Sequence, residues 1–322
     1  MIMRLPRRTA LGLLATLPAA AQTRPWPSRS IRCVVPSAAG GYDTYARIMA
    51  PRLAELLGQP VVVDNRPGAN GNIGMQEVQR SPADGHTIMF AHVGAITINT
   101  ALYRNMPLDP VADLAAIAVA VTSPMVWVVN PAAPFRTMPE LVARVQAEPD
   151  KWRYALPASG SINHLVVEDF KLRHRLDMPA VPYRGTPPAQ MGVIAGEVPI
   201  MMDSLGAGSG HIAGGRFRAL AVTARSRTER LPDVPTMLEL GLDQREYVAW
   251  YAFMAPKATP PAVIERLNQA INQVVAEPEI VSRLREMGAA PRRSTPAETL
   301  NFMRAEQKDF GATVRAGKIE VE

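Results

Sequence analysis

Apolar runs and helical patterns alternate along the first hundred residues of the chain. Short β-prone runs occur at residues 31–35, 59–64 and 87–91, and each is followed by a turn that leads into a helix. The first helix continues to Leu57, although Pro51 should kink it or shorten its regular part. This order predicts an α/β protein with a parallel sheet whose loops gather at one edge.

The turn after the first strand has the composition of an anion site. Gly40 and Gly41 let the backbone bend without a Cβ, and Asp43 is a favourable N-cap for the helix that follows. Such a turn directs free backbone N–H groups and the positive end of a helix at whatever lies above the strand. We therefore predict a carboxylate-binding turn, although the same glycines would also serve a tight turn with no ligand.

The second part of the chain repeats this arrangement. Runs at residues 117–121 and 125–129 are predicted strands that carry the chain out of the first domain, and a strand at 152–156 leads into a loop of small residues and a helix to about Leu172. Two helix N-termini, one in each domain, could thus face each other across a cleft. The remaining predicted elements are strands at 180–183, 198–202 and 218–223, a helix at 188–195 and a flexible segment at 204–210. We expect residues 246–255 to cross back to the first domain.

Helix-start signals define the C-terminal part. The patterns Thr137-Met-Pro-Glu140 and Thr295-Pro-Ala-Glu298 match the capping box, in which the first and fourth side chains bond each other's backbone N–H. We expect the C-terminal helices to pack on the first domain, which makes that domain discontinuous.

Length and charge limit the classes of function. The chain has 322 residues, enough for two domains, and a formal charge of +6. Three arginines and no acidic residue lie in residues 1–21, so the rest holds 32 basic and 29 acidic residues. Because this excess is small and no basic run is interleaved with aromatic residues, we expect no nucleic-acid partner.

The N-terminal segment has the features of an export signal. A basic start precedes the apolar run at residues 10–17, and the alanines that follow offer a cleavage site. The apolar core is too short to span a bilayer, so we expect an exported protein cleaved near Ala21. Cys33 is the only cysteine, which excludes an intramolecular disulfide.

Catalytic and metal-binding patterns are missing from the sequence. The five histidines show neither H-x-x-x-H nor H-E-x-x-H spacing, and no G-x-S-x-G nucleophile turn is present. His164, beside the second loop, is the best functional candidate among them, or else it bonds its own loop backbone. Asp203 closes an apolar strand and could accept a hydrogen bond from a ligand hydroxyl or from a neighbouring loop. We expect no metal and no cofactor.

Several motifs resemble those of one family when they are taken in order. A proline, a glycine pair, an aspartate and Ala-Arg occur at residues 36–47, followed by Asn-Arg-Pro-Gly-Ala-x-Gly-x-x-Gly at 65–74 and Pro-x-Asp-Gly-x-Thr at 82–87. Later matches are Ser-Ile-Asn-His-Leu at 161–165, Val-Pro-Tyr-Arg-Gly at 181–185 and Arg-Ala-Leu-Ala-Val-Thr at 218–223. This set resembles the extracytoplasmic solute receptors of the tripartite tricarboxylate transporter type, the TctC or Bug receptors.

The resemblance implies a fold and a function. The fold is α/β, a two-lobed periplasmic-binding-protein fold (type II, Venus flytrap) in which each lobe is a mixed, mostly parallel sheet flanked by helices. Behind a signal peptide at residues 1–21, lobe 1 would comprise residues 26–126 and 249–322, and lobe 2 residues 127–248. The implied function is that of a monomeric periplasmic receptor that captures a small carboxylate and hands it to membrane permease subunits of this transporter type. An exported hydrolase that uses the cleft, and a receptor that reports to a sensor protein, are the alternatives.

The family also implies a set of site residues. Its members hold a ligand carboxylate with loops of both lobes, through backbone N–H groups, hydroxyls and bridging waters. With the strand ends at His92 and Asp203 added, the predicted ligand-binding residues are Ser37, Ala39, Gly40, Gly41, Asp43, His92, Ser159, Gly160, Ser161, Asn163, His164 and Asp203. The chain departs from the family at residues 37–39, where an aromatic residue and a proline are common, and at residues 156–158. The ligand's identity stays open.

Overall fold

The computed structural model describes residues 25–39, 42–149 and 151–319, so the predicted signal peptide and the Gly40-Gly41 pair lie outside the described residues. The strands are β1 (Ile31–Val35), β2 (Val61–Asn65), β3 (Thr87–His92), β4 (Leu114–Val129), β5 (Tyr154–Leu156), β6 (Ala180–Pro182), β7 (Ile200–Ser204), β8 (Arg218–Val222), β9 (Val248–Pro256) and β10 (Ala290–Pro291). The helices are α1 (Asp43–Leu57), α2 (Asn72–Gln79), α3 (Asn99–Leu102), α4 (Pro110–Asp113), α5 (Met138–Ala147), α6 (Ile162–His174), α7 (Thr186–Ala195), α8 (Leu205–Ala213), α9 (Pro261–Val274), α10 (Pro278–Glu286) and α11 (Pro296–Ala316).

The strands form two half-sheets that share β4. In the first half-sheet, β1 lies parallel to β2 and β3, and β9 runs antiparallel between β3 and β4. In the second half-sheet, β5 lies parallel to β6 and β7, while β7 and β8 pair antiparallel with β4. Residues 114–124 of β4 pair with β9 and residues 125–129 pair with β7, so the chain crosses between the halves inside one strand.

The prediction of two separate strands at residues 117–121 and 125–129 is wrong. Thr122-Ser-Pro124, which lies between the two predicted strands, is instead paired with β9, and the buried Ser123 hydroxyl donates to the Gly288 carbonyl at 3.1 Å. Pro124, which cannot donate to a ladder, lies where β4 changes partners. Pairing with β9 and the bond to Gly288 therefore keep the strand continuous.

The prediction of a flexible segment at residues 204–210 is also wrong, because these residues lead into and begin α8. The Ser204 hydroxyl accepts from the Ala207 N–H and caps the helix. Two of its glycines are packed so closely that a Cβ would meet other groups: Met287 O at 2.6 Å from Gly206, and Asp203 Oδ2 at 3.0 Å from Gly208. Close packing overrides the weak helix propensity of glycine here.

The start of α1 differs from the expectation at Asp43. This residue is the first helical residue rather than the N-cap, and the residue before it, Tyr42, makes no side-chain capping bond. The buried Asp43 carboxylate accepts from Arg47 Nε at 3.0 Å, one turn along the helix. The helix also continues through the exposed Pro51 to Leu57 without the predicted shortening.

The two predicted capping boxes have different outcomes. Thr295 and Glu298 bond each other's backbone N–H, as predicted. Thr137 caps α5 by accepting from the Glu140 N–H, but the Glu140 carboxylate accepts from the Arg136 N–H instead of closing the box.

The C-terminal helices pack on the first half-sheet and, in one case, beyond it. Apolar side chains of α1, α9 and α10 form one buried cluster with β1, β3 and β9, which includes Met49, Phe90 and Leu284. Helix α11 places Phe310 in the cluster that contains Phe170 of α6, and Thr313 Oγ1 donates to Asp169 Oδ1 of α6 at 3.1 Å. Helix α11 therefore connects both halves. Within the described ranges, no helix is both long and apolar enough to cross a membrane.

Candidate functional site

A cleft of about 260 Å³ lies between the two half-sheets. Its lining comes from the first half, from the second half and from the strands that join them: Tyr42, His92 and Val93; Ile162, Asn163, Thr186, Asp203 and Ser204; and Met125, Ala249 and Tyr251. The lining residues of both halves follow or end strands, at the sheet edge where ligands of open α/β sheets bind.

Three helices of the second half begin at this cleft. Asn163 lies in the first turn of α6, Thr186 is the first residue of α7, and Ser204 is the N-cap of α8. Ser161 and Ser204 cap α6 and α8 through their hydroxyls, whereas no side chain caps α7. The positive ends of three helix dipoles thus point to a negatively charged guest. At the start of α7, Pro187 and Pro188 carry no N–H group, so the backbone donor there is that of Thr186.

None of the described lining residues is a lysine or an arginine. The carboxylate at the cleft, Asp203, is fully buried and accepts from Gln190 Nε2 at 2.7 Å and from the Ser204 N–H at 2.8 Å. Burial raises the pKa of Asp203 to about 6, and these two donors limit the rise. Asp203 therefore connects α7 to the start of α8 beneath the cleft surface.

His92 and Tyr42 form the wall on the first half. His92 Nδ1 accepts from the Gly94 N–H at 3.0 Å, and the ring meets the Tyr42 ring edge-on with centroids 5.1 Å apart. Burial lowers the pKa of His92 to about 4, so its imidazole is neutral. Burial raises the pKa of the Tyr42 hydroxyl, and the Ser37 hydroxyl lowers it by a smaller amount. The Tyr42 oxygen makes no hydrogen bond of normal geometry with a described residue.

Three of the twelve predicted site residues line the cleft: His92, Asn163 and Asp203. Asn163 is held by its Nδ2, which donates to the Met202 carbonyl at 2.8 Å. The predicted residues that the described lining does not include are Ser37, Ala39, Asp43, Ser159, Gly160, Ser161 and His164. Gly40 and Gly41 lie outside the described residues.

The second predicted loop is organised by its own side chains. His164 Nδ1 accepts from the Gly160 N–H at 3.1 Å, which is the loop-holding role given as the alternative. The Ser161 hydroxyl donates to the Ala158 carbonyl at 2.8 Å and accepts from the His164 N–H. These bonds fix the entrance of α6 and so position Asn163 at the cleft.

Several lining residues escaped the sequence analysis, above all Thr186, Ser204 and Tyr251. Thr186 follows a strand and Gly185 at a helix start, the same signal that drew attention to the two predicted loops. Tyr251 had no local signal, because it reaches the cleft by pairing with His92 across β3 and β9. The part of the chain that the structure describes holds no group of three or more side chains suited to a metal ion.

Comparison with protein families and curated sequences shows what this chain resembles. Residues 45–318 match the family described as tripartite tricarboxylate transporter family receptor. Protein BugT of Bordetella pertussis is 36% identical over 292 residues, which cover 90% of each chain. A UPF0065 protein of Bordetella bronchiseptica is 35% identical over 309 residues, 96% of this chain and 91% of that protein.

Solved structures of similar proteins can be compared with the fold of this chain. Rpa4515 of R. palustris, solved with adipate, is 32% identical and superposes with a TM-score of 0.82 over 92% of this chain and 99% of that one. The periplasmic binding protein BugD is 30% identical with a TM-score of 0.78, over 92% of this chain and all of that one. MatC of Rhodopseudomonas palustris, solved with malate, is 28% identical with a TM-score of 0.77, over 90% of this chain and 99% of that one.

Proposed function

Since the chain belongs to the tripartite tricarboxylate transporter receptor family, we propose that it captures a small organic carboxylate in the periplasm and delivers it to membrane permease subunits of that transporter type. The chain is a solute-binding protein with the two-lobed periplasmic-binding-protein fold, and not an enzyme. The proposed parts are the ligand, its delivery to the permease and export with cleavage of a signal peptide near Ala21.

One observation carries the proposal for the ligand: the N-termini of α6, α7 and α8 meet at one cleft between the half-sheets. Each terminus offers partial positive charge and at least one backbone N–H donor, which at α7 is that of Thr186, because two prolines follow it. None of the described lining residues is a lysine or an arginine. A volume of about 260 Å³ is near the lower end for ligand pockets, which favours a metabolite over a larger molecule. Rpa4515 and MatC, which were solved with adipate and malate, support an acid of this size.

We propose the lobe boundaries and contact residues on the same basis. Lobe 1 would comprise residues 26–126 and 249–322 and lobe 2 residues 127–248, which is supported by the change of partners within β4 and by the start of β9 at Val248. Tyr42 and Asn163 of the lining belong to the predicted loops at 37–43 and 159–164. Movement of one lobe against the other about these strands would bring both loops onto the acid.

The proposal is tested by titrating the purified protein with adipate, malate, succinate and aspartate in a calorimeter, with glucose as an uncharged control. We expect saturable one-to-one binding of at least one acid and none of glucose; micromolar affinity corresponds to about −8 kcal/mol. A thermal-shift measurement on the same panel should show a raised melting temperature only for the acids that bind.

A variant pair tests the site. Thr186→Val removes one hydroxyl at the start of α7 with little change of shape, and we expect it to weaken binding by about 10- to 100-fold, since a hydrogen bond to a charged group contributes about 1.5–3 kcal/mol. Thr122→Val makes the same change on β4, outside the cleft, and should leave affinity unaltered. Binding of an uncharged solute in place of every acid would refute the proposal. Delivery is tested separately, by uptake of the labelled acid in cells with and without the gene.

A further inference from the structure

We infer that His92 orients the bound acid, with a neutral imidazole whose Nε2–H group donates to an acceptor oxygen on the side of the first half-sheet. This inference rests on the proposed function and deepens it. It assigns to the cleft an acid with two separate oxygen-bearing ends, such as a dicarboxylate: one end at the helix N-termini and the other at His92.

The tautomer of His92 follows from its contact with Gly94. Nδ1 accepts a hydrogen bond from the Gly94 N–H at 3.0 Å, and a ring nitrogen that accepts cannot also carry a proton. The proton of the neutral ring must therefore be on Nε2. Nε2 has no hydrogen-bond partner among the described residues, and it is not one of their fully buried polar atoms. The ring lines the cleft, where a ligand can reach this nitrogen.

The absence of a side chain at residue 94 allows this ring position. A Cβ at Gly94 would lie 2.7 Å from Cε1 and 2.9 Å from Nδ1 of His92, closer than real Cβ atoms approach their neighbours. Gly94 opens a π-helical turn over Gly94–Ile98, whose residues are all buried. The ring thus packs against a buried turn, and tilting it away from the cleft would break its hydrogen bond to the Gly94 N–H.

The surroundings of His92 keep the ring neutral. The titratable groups that face it are the phenols of Tyr42, which meets the ring edge-on, and Tyr251, its cross-strand neighbour, with Asp203 on the far half. Burial raises the pKa of both phenols, so neither is an anion at neutral pH. Burial is the cause of the shift that lowers the pKa of His92 to about 4. His92 therefore donates from Nε2 throughout the range from pH 5 to 8.

Two amide substitutions at His92 distinguish the role of Nε2 from that of Nδ1. His92→Asn keeps an acceptor near the position of Nδ1 and loses the donor at Nε2, whereas His92→Gln places an amide nitrogen near Nε2. With adipate and malate as the titrated probes, we expect His92→Asn to weaken binding by about 10- to 100-fold and His92→Gln by less than about fivefold. His211→Gln, the same change outside the cleft, should have no effect. If His92→Asn binds as tightly as the wild type, or if His92→Gln loses as much as His92→Asn, the inference is overturned.

The ring can also be observed without any ligand. ¹⁵N-edited spectra of the imidazole in the intact protein, with His92→Gln used for assignment, should show a protonated Nε2 and an unprotonated Nδ1 from pH 5 to 8. A proton on Nδ1, or titration near pH 6.5, would overturn the inference. If the wild-type protein binds none of the acids, the proposed function fails, and the spectra still decide the state of His92.

Discussion

The contact between Gly206 and Met287 predicts the effect of adding a single methyl group. Gly206 is the second residue of α8, on the second half of the protein, and Met287 follows α10 on the first. A Cβ at Gly206 would lie 2.6 Å from the Met287 carbonyl oxygen and 3.3 Å from the Tyr45 hydroxyl. The nearer atom belongs to the backbone and cannot rotate aside, so Gly206→Ala requires α8 to move by about 0.8 Å to reach the 3.4 Å of an ordinary contact.

The change in stability is the cost of overpacking minus the gain from replacing a glycine inside a helix. Overpacking of this kind costs about 1–3 kcal/mol, and replacing a helical glycine by alanine returns about 0.5–1 kcal/mol. We therefore expect Gly206→Ala to lower the free energy of unfolding by about 1–2 kcal/mol. Because Ser204, two residues earlier, lines the cleft, the same variant should also weaken binding of an acid there.

Urea denaturation followed by circular dichroism measures the change in the free energy of unfolding, and a second glycine of α8 serves as the control. Gly210 lies one turn further along, and a Cβ there meets nothing within 4 Å. Gly210→Ala should therefore stabilise the protein by about 0.5–1 kcal/mol. If Gly206→Ala is as stable as Gly210→Ala, the two halves of the protein do not touch at this point in solution, and the reasoning fails.

Three further predictions concern titration, capping and reactivity. Burial raises the pKa of Asp203 to about 6, so the folded protein holds this proton more tightly than the unfolded chain, and the contribution of Asp203 to the free energy of unfolding should fall by about 2 kcal/mol as the pH rises from 4 to 7. Parallel pH profiles of stability for the wild type and Asp203→Asn would contradict this. Thr295→Ala removes the cap of α11 and should cost about 1 kcal/mol in urea denaturation, whereas Thr295→Ser, which keeps the hydroxyl, should cost less than half as much. Burial raises the pKa of the Cys33 thiol to about 12, so it should react with Ellman's reagent only at the rate of unfolding; rapid labelling of the folded protein would show that the first strand is open.

The family, the fold class and the assignment as a binding protein were predicted from the sequence and are confirmed. These conclusions depend on short motifs in a fixed order. The local elements also followed from the residues: β1 occupies Ile31–Val35 as predicted, α1 ends at Leu57, and Thr295 and Glu298 close their capping box. Each of these features depends on residues no more than a few positions apart.

The errors arose where a distant segment decides the local structure. Residues 204–210 have the composition of a loop, yet they enter and begin a helix in which Gly206 packs closely against the distant Met287 carbonyl. Residues 122–124 lie between the two strands predicted at 117–121 and 125–129, yet β9 pairs along them. Local propensity amounts to about 1 kcal/mol per residue or less, which tertiary packing readily exceeds.

The sequence by itself determined which turns end strands and begin helices, since hydrogen-bond spacing and capping act within about four residues. Only the tertiary structure decided which of those turns meet. His92 and Tyr251 are neighbours because β3 and β9 pair, and Thr186 joins Ser204 because α7 and α8 begin at the same cleft. A binding cleft is assembled from elements far apart in the chain, and the packing that brings them together leaves no signal in the few residues around each one.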